Sequence, residues 1–151
     1  MSVAGNLRRY WGRGVVLGVI NALLLSAIMV PAFQAGLPPM PQPPSLAFAE
    51  TLVGGSVPLF VGILLHVAYV AFWSLVYVVV AHPRLTLVRA LVLGLILWVV
   101  ILLVFFPIVG WGWAGLAVSP KVPVASLLPH LLFALFLWGL AKVFFRPRRG
   151  A

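Results

Sequence analysis

The chain has 151 residues, of which 64% are hydrophobic and 7% charged, against roughly 45–50% and 25% in an ordinary soluble domain. Ten Lys and Arg against one acidic residue, Glu50, give a formal charge of +9. This composition excludes a soluble globular domain, and the lack of Cys excludes disulfides, thiolate metal sites and Cys nucleophiles. The basic residues sit beside long apolar runs, which is the pattern of membrane anchoring and not of nucleic-acid binding.

A membrane-crossing helix needs about 20 mostly apolar residues, and four stretches meet that requirement. The first is residues 14–33, preceded by Arg8, Arg9 and Arg13, with Tyr10 and Trp11 suited to an interfacial aromatic belt. It is longer than the roughly 7–15 apolar residues of a signal peptide, and no clean A-x-A site follows, so it is read as a span. Gly14 and Gly18 offer a small-residue face for close helix packing, and Asn21 offers an amide to bond a neighbouring helix.

Residues 34–57 form a Pro-rich connection, with five prolines between Leu37 and Ser45. Such a stretch is extended and stiff. The following SLAFAETL suits one or two helical turns at the membrane surface, broken by Gly54 and Gly55.

The second span, 58–81, and the third, 85–109, are separated by a very short turn in which Pro83 disfavours helical geometry at His82. They therefore form an antiparallel hairpin. Trp111 and Trp113 follow as a second aromatic belt, and the fourth span is 123–145. The fold class is thus all-α, an integral membrane four-helix bundle in one domain. Nine of the ten basic residues lie on one side, with Lys121 alone on the other. The positive-inside rule then places both termini inside a bacterial cytoplasmic membrane.

Polar groups at membrane depth are costly and turn toward the bundle interior. His66 in the second span and His130 in the fourth lie at matching depths, about 10–12 Å from the Pro-rich side at 1.5 Å per residue. Gly62, Tyr69, Trp73 and Tyr77 share a helical face with His66, and Ser126 shares one with His130. With Asn21, these residues predict a polar face inside the bundle.

Three readings of the histidine pair follow. In the first, each neutral imidazole bonds a neighbouring helix, and the protein is a structural or accessory subunit with no catalytic residues, metal or cofactor. In the second, His66 and His130 are axial ligands of a b-type haem in an electron-transfer subunit, although only Lys121 is available to pair with its propionates. In the third, the pair serves a small transporter or channel that works as an oligomer. No span contains Asp or Glu, and no nucleophile, phosphate-binding or dinucleotide motif is present. The expected partners are the lipid bilayer and a larger membrane complex or further copies of the chain.

The features His66, Gly94, Pro107, Gly110 and His130, on four apolar spans, resemble the small bacterial membrane proteins of the YagU-like type. The resemblance covers about two thirds of the chain and implies this fold and location, with a suggested link to envelope stress and no defined activity.

Overall fold

The computed structural model describes residues 2–145, and the predicted basic residues Arg146, Arg148 and Arg149 lie outside them. Helix α1 spans Val3–Gln34, α2 Pro44–Val53, α3 Leu59–Ala81, α4 Leu87–Ile108 and α5 Val122–Phe144. Four of them, α1, α3, α4 and α5, are long and apolar enough to cross a membrane, which marks a multi-pass membrane protein. The described residues form an all-helical bundle.

Helix α1 extends well before the apolar window because Ser2 caps it, accepting the Gly5 N–H at 3.2 Å, and because Arg is a good helix former. Asn6 is thereby carried into the bundle, where its side chain is buried and donates to the Val79 carbonyl at 2.9 Å. Among the described residues Asn6 and Asn21 are both buried amides of α1. After the Pro-rich stretch, α2 runs longer than one or two turns. It starts with Pro44 in its first turn, where no N–H is needed, and ends at Gly54, whose φ of 76° closes it in the left-handed conformation.

Packing is uneven around the bundle. Helix α1 lies along α3 and also touches α5, and α5 lies along α4, whereas α3 and α4 make little backbone contact. The going-round order is therefore α3, α1, α5, α4, with α3 and α5 on one diagonal. The α1–α3 seam is close because Gly14 and Gly18 lack side chains: a Cβ on Gly18 would stand 2.5 Å from the Ala71 Cα. At the hairpin, Tyr77 donates to the Thr86 carbonyl at 3.0 Å and Arg89 donates to the Ala81 carbonyl at 3.0 Å, closing the exposed end of α3.

Within α4, Ile101–Phe105 form a π-helical turn in which the Phe106 N–H reaches the Ile101 carbonyl. Pro107 lacks an N–H and its ring would strike the carbonyl four residues back, so the helix widens there. The two aromatic belts differ from expectation. Trp11 and Trp113 are exposed, but Tyr10 and Trp111 are buried. Tyr10 packs its ring 4.4 Å from His82 and 5.5 Å from Phe145, and Trp111 packs 5.3 Å from Phe106. Both rings fill the ends of the bundle, where no lipid chain would.

Candidate functional site

His130 lies in the turn of α5 that contains Pro129, and its Nδ1 is 2.7 Å from the Ser126 carbonyl. A carbonyl only accepts, so Nδ1 carries the proton and donates to it. Neutral His130 therefore presents Nε2 as a bare lone pair. Helix α4 presses against this turn because Gly94 has no side chain: a Cβ there would be 2.7 Å from the His130 carbonyl. Gly94 thus sets the height and depth of His130.

His66 stands on the diagonal helix α3, half-buried. Among the described residues, neither nitrogen of His66 makes a hydrogen bond to the protein. Tyr69, one turn further on, packs its ring 5.7 Å from Phe105 and 6.3 Å from Trp73, and Phe105 in turn meets Phe48 of α2 at 4.9 Å. The π-helical turn is what brings Phe105 to this place. Aromatic rings, rather than backbones, therefore bridge α3 and α4 beside the histidine pair.

Three members of the predicted polar face have other duties. Tyr77 belongs to the hairpin, three helical turns from His66. Asn21 donates to the Phe133 carbonyl at 3.2 Å, tying α1 to α5. The Ser126 hydroxyl donates to the Pro123 carbonyl at 2.9 Å and accepts from the Trp98 indole at 3.2 Å, so it is its backbone oxygen that serves His130. Gly62 does not face the bundle interior. It receives α2, with a virtual Cβ 2.8 Å from the Leu46 Cα, because α2 folds back over the N-terminal half of α3.

The interhelical bonds expected of the histidines are made elsewhere. Asn6 and Asn21 supply two, and Trp98, whose indole also reaches the Pro123 carbonyl at 3.0 Å, supplies the α4–α5 bond. Sequence reasoning missed Trp98 because a tryptophan in an apolar run reads as lipid-facing, and it missed Asn6 because that residue precedes the apolar window. His82 caps α3 outside the spans, with its Nδ1 buried and unpartnered among the described residues. Burial, and then the nearby Arg9 guanidinium, hold its pKa below the ordinary histidine value.

Among the described residues no group of three or more His, Cys, Asp or Glu is arranged to hold a metal ion. His130 is left with one fixed acceptor, Nε2, and His66 with an imidazole that bonds no protein atom among the described residues. No protein-family model, curated protein or solved structure matches the chain.

Proposed function

We propose that the protein is a non-catalytic structural or accessory subunit of the bacterial cytoplasmic membrane, with both termini inside. The observation that carries this reading is the use of the interior polar side chains. Asn6, Asn21 and Trp98 end on backbone carbonyls of a neighbouring helix, and Ser126 accepts from Trp98 across the same seam, so these groups hold helices together. Glu50, the single acidic residue, accepts from Gln42 at 2.7 Å on α2 rather than lying in a span, so acid–base chemistry has no carboxylate at membrane depth. The distribution of basic residues supports the orientation, and the likeness to YagU-like proteins points to the same location. Association into a larger complex or with further copies of the chain belongs to this reading.

Because the chain has no Cys, orientation is tested by single substitution. Ser56→Cys in intact cells is expected to react with a membrane-impermeant maleimide, and Arg84→Cys only after lysis; the reverse pattern overturns the orientation. Purified protein is expected to be colourless and to give no flux in proteoliposomes. A Soret band lost in His66→Ala and His130→Ala would replace this reading with a bis-histidine haem b subunit. Flux lost in His66→Ala would replace it with an oligomeric transporter.

A further inference from the structure

Helix α1 carries, near its N-terminal end, two exposed cations one turn apart, Arg9 and Arg13. At this spacing they share a face, where like charges repel. The Arg9 guanidinium stands 5.4 Å from the Tyr10 ring centre, and Tyr10 is packed 4.4 Å from His82. Other cations at this end are engaged: Arg89 donates to the Ala81 and Arg84 carbonyls, and the Lys142 ammonium lies 3.9 Å from the Trp138 ring centre. The single acidic side chain of the chain, Glu50, is at the other end of the bundle. It belongs to α2, which packs on Gly62 of α3, whereas Gly14, next to Arg13, packs on Leu75. A counter-charge for Arg9 and Arg13 therefore comes from outside the chain.

Below these two arginines the same face turns apolar. From Arg9, Arg13 stands at i+4, Val16 at i+7, Ile20 at i+11, and Leu23 and Leu24 at i+14 and i+15, the spacing of one helical side. Val16, Leu23 and Leu24 are exposed and Ile20 is partly so, while Tyr10, Leu17 and Asn21, further round the helix, are buried. The rise from Arg13 to Leu24 is about 16 Å at 1.5 Å per residue, about one leaflet of a hydrocarbon core roughly 30 Å thick. A free phosphate would meet only two water-screened guanidinium groups. A phospholipid already in the leaflet brings its phosphate to the level of Arg9 and Arg13 and lays an acyl chain along the strip beneath them.

We propose that Arg9 and Arg13, with the strip of Val16, Ile20, Leu23 and Leu24, form a binding site for one anionic phospholipid. The phosphodiester accepts from both guanidinium groups and removes their mutual repulsion. A net negative headgroup is selected over a zwitterionic one, because the cation of the latter would be brought up to two arginines. The site rests on the membrane reading above and adds to it a lipid class and a place on the bundle.

The test uses the purified full chain in detergent, titrated with dioleoyl phosphatidylglycerol, with dioleoyl phosphatidylcholine and with inorganic phosphate, and followed by native mass spectrometry. The first phosphatidylglycerol is expected to bind at least about tenfold tighter than the first phosphatidylcholine, equal to about 1.4 kcal/mol, and inorganic phosphate is expected not to displace it. Arg9→Gln with Arg13→Gln is expected to remove that preference. Arg8→Gln with Arg84→Gln takes the same charge from the same end, with Arg8 about 100° round the helix from Arg9, and is expected to keep it. Equal affinities for the two lipids, displacement by inorganic phosphate, or an equal loss in both double variants would each overturn the site while leaving the four-span reading intact. A chain that stays in solution without detergent or lipid would overturn the membrane reading and the site with it. Equal affinities on the unmodified protein refute the site even where a variant does not fold.

Discussion

Gly18→Ala is the sharpest probe of how the bundle is held. Gly18 is buried at the α1–α3 seam, and a Cβ there would stand 2.5 Å from the Ala71 Cα, 2.9 Å from the Ser74 Cβ and 3.0 Å from the Ala71 carbonyl. Two of these three atoms are backbone, so no side-chain rotation relieves the clash and the helices must part. Overpacking of this kind costs about 1–3 kcal/mol, and the change from Gly to Ala in a helix returns roughly 0.5–1 kcal/mol. The net expectation is a loss of up to about 2.5 kcal/mol. At Gly14 the nearest atom is the Leu75 Cδ1, at 2.8 Å, the mobile end of a side chain, so Gly14→Ala should cost less than about 1 kcal/mol. At Gly139 nothing lies within 4 Å of the added carbon, and Gly139→Ala should be neutral or gain up to about 0.5 kcal/mol. Equilibrium unfolding in mixed micelles of increasing dodecyl sulfate fraction, followed by far-UV circular dichroism, ranks the three. An order other than Gly18 below Gly14 below Gly139 would refute the close-packed seam.

Trp98→Phe removes the indole donor to the Pro123 carbonyl and the Ser126 hydroxyl and keeps most of the ring volume; the same unfolding assay should show a loss of about 0.6–1.7 kcal/mol. For His82, a folded-state pKa below the ordinary histidine value of 6.5 means that the unfolded chain binds more protons. Its contribution is complete above the unfolded value and is lost as pH falls through 6.5 toward the folded one. Thermal denaturation across that range should show a steeper acid-side decline for the unmodified protein than for His82→Gln, and parallel curves would count against the buried Nδ1.

Hydropathy makes the spans legible because twenty or so apolar residues have few other homes. The caps were legible for a similar local reason: Gly54 and His82 end α2 and α3 through backbone preferences that their own and neighbouring residues impose. Which helix touches which was not legible. In lipid, a packed face and a bilayer-facing one are equally apolar, so the period of hydrophobicity that orients a soluble helix carries little information. Gly14 and Gly18 were the exception, since small residues mark close approach whatever the solvent. Gly62 shows the limit of the same signal: it marked a close approach, but by α2 and not by the bundle interior. Tyr77 was misplaced because helical periodicity gives direction around the axis and is silent about what lies opposite each turn.

Helices supply carbonyls everywhere, so the amide donors of Asn6 and Asn21 and the Trp98 indole end on backbone of a neighbouring helix. The Oδ1 atoms of Asn6 and Asn21 are buried and stay without a partner among the described residues. A neutral imidazole likewise has two halves, one nitrogen that donates and one that accepts. A bundle of apolar spans has carbonyl acceptors in plenty and almost no free donors. His130 therefore fills its donor half from its own helix and leaves its acceptor half open. Asn6 and Asn21 do the same, spending their donor on a carbonyl and keeping a buried oxygen unmatched, so it is the shortage of donors that limits how far polar groups inside these spans can be paired.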